Sequence, residues 1–163
     1  MNTMSMMVEQ INKLPQPERK NKLTALVSGF IKFAGHSGIV MEELNYNNAV
    51  VTLQCEANVQ NHIGTIHAVA QILLAETSTG ILVAMNIPDD KIILAKQMNT
   101  SFVKRATGAM KATASITSEQ IALINSQEKG EMKIDVCVTD ELGVEPIKCE
   151  ATWVWLPKNR IQK

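Results

Sequence analysis

Aromatic residues make up only 4% of the 163-residue chain, so its core cannot be built on stacked rings and must be aliphatic. Nine methionines add adaptable filling to that core. Excess charge is lacking too: sixteen basic residues face sixteen acidic ones, and a nucleic-acid binder would normally carry a basic surplus to neutralise phosphates. Cysteine is scarce. Cys55, Cys137 and Cys149 are an odd, widely spaced set without a Cys-x-x-Cys pair, which fits a reducing compartment and neither a disulfide framework nor a zinc ribbon. The first residues lack the basic stretch of a signal peptide, and no uncharged apolar run reaches membrane-spanning length. The expectation is a cytoplasmic protein without membrane or nucleic-acid partners, forming one domain over 1–163, with a helical extension at 1–35 and a core at 36–157.

What is present is helical at the start. Ser5 can cap a short helix carrying Met7 and Ile11 that ends before Pro15, and Pro17 suits the first turn of a second. There Leu23, Leu26, Val27, Phe30 and Ala34 fall at helical spacing and Gly35 marks the end, giving an amphipathic cover helix. Ile39 to Leu44 and Ala49 to Gln54 flank the polar cluster Asn45-Tyr46-Asn47-Asn48 and read as a hairpin. Ile92 to Phe102 reads as a strand. Apolar residues alternate with polar ones from Met110 to Ile116, from Met132 to Val138 and from Ile147 to Trp155, the period of half-buried strands. Ser118 to Gln127 reads as a short helix capped by Ser118.

Thr65 to Thr79 differs from everything around it. Ile66, Val69, Ala70, Leu73 and Thr77 recur at helical spacing, and Ile72, Leu74 and Ala75 make the segment apolar nearly all round, with Gly80 expected to close it. Its roughly 15 residues span about 22 Å, a length that six or seven strand residues also cover, so one antiparallel sheet can wrap it.

Glu76 breaks the apolar pattern. At 100° per residue it lies within about 20° of Val69, beside Ile72 and Leu73, where an ionised carboxylate must find donors or water. A salt bridge or a solvated rim position would explain it as well as chemistry would. Upstream, Asn61-His62-Ile63-Gly64-Thr65-Ile66-His67 feeds the helix start, where free N–H groups can bind an oxyanion. Carboxylate, amide and free N–H groups together are the parts of an acyl-ester hydrolase. Asn61 as a turn residue and Thr65 as a plain cap account equally for the loop. His62 and His67 stand five apart, off the four-residue spacing of paired zinc ligands, so no metal site is expected.

Asn61-x-x-Gly64-Thr65-x-His67-Ala68, with Glu76 nine positions after His67, resembles the signature of PaaI-type thioesterases in the hotdog-fold superfamily. Met98 to Gly108 and Ala151 to Trp155 are similar to later segments of such proteins, so the likeness covers roughly Gly38 to Pro157. It implies an α+β hotdog fold, a long helix wrapped by a curved antiparallel sheet. It implies a homodimer, or a tetramer of such dimers, hydrolysing acyl-CoA thioesters without a metal or cofactor other than the coenzyme A of the substrate. By the same resemblance Glu76 is base or nucleophile, and Asn61 and His67 of the other subunit, which it faces, orient it or the attacking water. The Ala68 N–H, in the loop that Gly64 opens, polarises the thioester carbonyl. Lys104 and Arg105 are the expected contacts for the coenzyme A phosphates, as the first free cations after a strand end. Hotdog relatives also include non-catalytic acyl-CoA or lipid binders and dehydratases, and both remain alternatives.

Overall fold

The computed structural model describes residues 2–158. Six strands form one sheet in the order β1-β2-β4-β5-β6-β3, every neighbouring pair antiparallel. They are β1 (Val40–Leu44), β2 (Asn48–Leu53), β3 (Lys91–Phe102), β4 (Met110–Ser115), β5 (Gly130–Asp140) and β6 (Ile147–Pro157). The helices are α1 (Thr3–Asn12), α2 (Glu18–Phe30), α3 (Lys32–Ser37), α4 (Ala68–Asn86) and α5 (Ser118–Ser126). The 19-residue α4 packs against β2, β3, β4, β5 and β6. A single helix can meet five strands of one sheet only if that sheet curls around it, and the arrangement is the hotdog fold. By length and hydropathy α4 could cross a membrane, but most of it is buried against strands.

Period-two alternation placed the later strands correctly because their inward faces line this core: Met110, Ala112 and Ala114 on β4, and Ala151, Trp153 and Trp155 on β6, are all buried. The expected helices at the N-terminus form with different ends. Asn2, not Ser5, caps α1; its Oδ1 accepts the Ser5 N–H at 2.7 Å while Ser5 Oγ accepts the Asn2 N–H at 2.9 Å, a reciprocal capping box. The second expected helix is broken at Ile31, whose φ −112°, ψ 86° is not helical, and α3 follows until Gly38 at φ +81°. Gly35 therefore does not end a helix. A Cβ there would lie 2.9 Å from Ser28 Cβ, so glycine is what lets α3 fold back onto α2. The cap of α5 is Thr117 rather than Ser118.

The long helix runs later than expected at both ends. Its start moves from Thr65 to Ala68 because Ile66 is extended and bridges Gln60, and the His67 N–H is bonded to Val59 O at 2.8 Å. Its end moves from Gly80 to Asn86. The Thr77-Ser78-Thr79-Gly80 run looks like a terminator, yet all four residues are buried. Ser78 and Thr79 hydroxyls donate back to Ala75 O at 3.1 and 2.8 Å, which satisfies them within the helix. Gly80 serves packing: a Cβ on it would stand 2.6 Å from the Trp153 ring. The ring is pinned there by its Nε1–H, which donates to Thr79 Oγ1 at 2.9 Å. Gly80→Ala is expected to lower unfolding stability by about 1–3 kcal/mol, the usual cost of overpacking a filled core. A urea-denaturation midpoint equal to that of the parent would show that the ring is free to move.

Candidate functional site

The segment before α4 is a tightly bonded loop. Asn61 Oδ1 accepts the N–H groups of Ile63 and Thr65 at 3.0 and 3.1 Å, and its Nδ2 donates to Thr65 Oγ1 at 2.8 Å. Gly64 sits at φ +77°, the left-handed conformation that glycine adopts at low cost, so the loop can turn through it. Asn61 thus organises its own loop, as the turn reading expected. His67 is the N-cap of α4 in place of Thr65: its Nδ1 accepts the Val69 N–H at 3.1 Å. With Nδ1 accepting, the neutral ring carries its proton on Nε2, which makes that exposed nitrogen a donor. The Ala68 N–H meets no acceptor among the described residues, so one helix-start donor stands open beside the imidazole.

Glu76 lies on the part of α4 that the sheet does not cover. Val69 is 55% exposed and Ile72 and Glu76 are half-buried, while their neighbours Leu73, Leu74 and Ala75 are buried. The predicted angular cluster of Val69, Ile72 and Glu76 is therefore the open stripe of the helix. No salt bridge holds Glu76 among the described residues. Glu76 lines an apolar pocket of about 240 Å³ together with Gly80, Ile81 and Ala84 of α4, Ile93 of β3 and Trp153 of β6. Met4, Phe30 and Ile31 of the N-terminal helices complete the lining. Burial pushes the Glu76 carboxyl above the usual carboxylate range, opposed weakly by the Thr77 hydroxyl at 3.4 Å. Two larger grooves lie on the opposite, polar side of the sheet, one between β4, β5 and β6 and one reaching β3, and neither includes any expected site residue.

The expected site is not assembled within one chain. His67 and Glu76 are nine positions apart, about 13.5 Å along the helix axis, which exceeds hydrogen-bond reach. Lys104 and Arg105 are exposed and unpaired among the described residues, in the turn after β3, where the Lys104 N–H bonds to Pro146 O at 3.2 Å. Roughly 35 Å of strand separates them from Ile93 at the pocket, so they do not reach the Glu76 of their own chain. Among the described residues no three His, Cys, Asp or Glu side chains cluster as metal ligands would. The sequence did not single out Gly80 and Trp153 as the pocket's floor, nor Met4, Phe30 and Ile31 as its wall. The continuing apolar run Ile81-Leu82-Val83 was the one signal that Gly80 lies inside the helix.

Residues 20–156 match the family described as "Domain of unknown function (DUF4442)". The chain belongs to the DUF4442 family. The match begins inside α2, so it takes in part of the helical region that the first resemblance left out. No curated protein matches. Among solved structures, a Pseudomonas aeruginosa protein of unknown function, PA5026, described as a "Probable Thioesterase", is similar at 24% identity and TM-score 0.76, over 88% of this chain and 97% of that one. Haemophilus influenzae thioesterase HI1161 is similar at 16% identity and TM-score 0.67, over 86% of this chain and 92% of that one. A mutant form of the Staphylococcus aureus thioesterase SAV0944 gives 19% and 0.63, over 77% and 99%. These likenesses establish the shared fold.

The raised carboxyl has a consequence for stability. A folded-state pKa above the unfolded one means the folded chain holds that proton more tightly, so stability present below the ordinary carboxylate value is lost as pH rises through the folded value. Glu76→Gln removes this loss. The variant is expected to melt higher than the parent at neutral pH and level with it in acid; a difference that does not change with pH would place the carboxylate in water.

Proposed function

We propose that the DUF4442 chain is a homodimeric acyl-CoA thioesterase in which Glu76 of one subunit works with the helix-start loop of the other. The observation that carries the reading is Glu76 itself: one ionisable side chain on an apolar pocket, without an ion-pair partner among the described residues, on the half-exposed stripe of a core helix. The thioesterase names of the similar structures favour the same chemistry. A second copy is required because nine residues separate Glu76 from His67. The edge strand β3 offers a place for it: the unpaired side of its 12 residues is open, and Leu94 and Phe102 are exposed on it, as Ile63 and Val69 are around the helix start.

In this reading a thioester carbonyl oxygen sits against the Ala68 N–H and the His67 Nε2–H, which hold the charge that develops when the carbonyl carbon is attacked. Glu76 either takes a proton from the attacking water or attacks the carbon itself, forming an acyl-Glu76 anhydride that water then cleaves to the free acid; in both routes collapse of the tetrahedral intermediate breaks the C–S bond and releases the coenzyme A thiolate. A raised pKa suits a base that must return its proton to the leaving thiolate. Asn61 keeps the loop in the conformation that aims these donors.

Glu76→Gln and Asn61→Ala homodimers are each expected to lose at least about a hundredfold in thiol release from acyl-CoA esters. Mixing the two after subunit exchange is expected to restore up to about a quarter of parental activity, since half of the dimers are hybrid and each hybrid carries one intact site. Demonstrated exchange without recovery would place both residues in one subunit's site and overturn the shared arrangement. A parent that releases no thiol from any ester of a broad panel would overturn the hydrolase.

Lys104 and Arg105 belong, on this reading, to the coenzyme A end of the site across the subunit boundary. Replacing both by Ala is expected to raise KM for coenzyme A esters and flatten its salt dependence, while hydrolysis of a small thioester without the nucleotide stays unchanged. Equal losses on both substrates would assign the pair to the fold.

A further inference from the structure

One wall of the pocket beside Glu76 is a part of the chain with no role in the chemistry proposed above. Along α4 the pocket runs from Glu76 to Ala84, eight residues or about 12 Å. Its floor is rigid. Trp153 is held by Thr79 through its Nε1–H and lies hard against Gly80, and Ile93 flanks it from the edge strand. The facing wall comes from the N-terminal helices, through Met4 of α1 and through Phe30 and Ile31 at the break between α2 and α3.

That wall is fastened to the helix it covers. Asn2, itself buried, donates through Nδ2 to Ala84 O at 2.7 Å and to Ile87 O at 2.6 Å, two carbonyls near the C-terminal end of α4. The Thr3 N–H and hydroxyl donate to the Asp89 carboxylate just beyond. These bonds hold the start of α1, and with it Met4, at the pocket. Ile31 leaves the helical conformation where the wall turns, and Phe30 stays 59% exposed at its rim. Every lining side chain except Glu76 is apolar or absent, so the cavity has one polar end and a greasy remainder.

We infer that this pocket holds the hydrocarbon tail of an unbranched acyl group and that Met4, Phe30 and Ile31 set the chain length it accepts. The inference rests on the thioesterase reading for the placement of the carbonyl end at Glu76. A tail anchored there can extend only away from the carboxylate, along α4 towards the Asn2 clamp. At interior packing density about 240 Å³ takes on the order of eight to ten methylene groups, a medium-length acyl chain. Each methylene buried contributes about fourfold in binding, so the preference grows stepwise with length and stops when the pocket is full.

The test uses the full chain and straight saturated acyl-CoA esters from two to sixteen carbons. For the parent, kcat/KM is expected to rise roughly fourfold per added methylene and level off near the medium lengths. Ile31→Phe is expected to move the plateau to shorter chains, and Met4→Ala with Phe30→Ala to longer ones. A second readout needs no turnover: a free medium-chain fatty acid carrying bromine near its end is expected to quench tryptophan fluorescence through Trp153, and Ile31→Phe is expected to weaken that quenching. Thiol release with length profiles that superimpose for all variants, and no quenching, would overturn the inference while leaving the hydrolase intact. Quenching that Ile31→Phe abolishes, in a protein that hydrolyses nothing, would uphold the pocket and remove the hydrolase.

Discussion

Everything in this molecule is arranged around the burial of one helix that is apolar on almost every side. A helix of this kind cannot lie on a surface, because no orientation hides all of its faces from water. The sheet responds by curling until β2 to β6 all touch α4, and the N-terminal helices take up part of what remains. Packing that close constrains individual residues. Gly80 is glycine because the Trp153 ring occupies the space of its Cβ, and the ring is held by a hydroxyl that already bonds inside the helix.

The covering is incomplete along one stripe, and the candidate chemistry sits there. Val69 is exposed and Ile72 and Glu76 are half-buried there, with Glu76 at the pocket that Ile93 and Trp153 of the sheet also line. A carboxylate in such a place is costly to ionise, which is why its pKa rises, and the same cost makes it a stronger base once ionised. The helix start supplies the complementary part. There the Ala68 N–H meets no acceptor among the described residues and the His67 ring accepts the Val69 N–H, with nine positions, about 13.5 Å of helix axis, between His67 and Glu76 of the same chain. Separation on a rigid rod is what makes a second subunit part of the proposed site.

Strands were legible because alternation reports one buried face directly, and β4, β5 and β6 follow it along most of their length. The helix ends were not. Thr65 resembles a cap, but Ile66 is drawn into the core as extended chain and His67 takes the capping place. Gly35 and Gly80 resemble terminators, yet each is a site of close approach, to Ser28 and to Trp153. The first approach spans only seven positions but needs the helix to break at Ile31, and the second joins residues 73 positions apart, which no local window contains.

By itself the sequence determined the type of each element, the all-round apolarity of the central helix and the one carboxylate that departs from it, since these follow from local spacing and side-chain chemistry. The hotdog fold was also legible, through a resemblance carried by Asn61, Gly64, His67 and Glu76 at their spacings. Only the tertiary structure decided what surrounds that carboxylate. Met4, Phe30, Ile31, Ile93 and Trp153 line the pocket beside it from four separate elements and a helix break, and their convergence depends on how the sheet curls and on where Asn2 ties down the N-terminus. Spacing along a chain encodes which face a residue presents; which other face it meets is set by the packing of the whole.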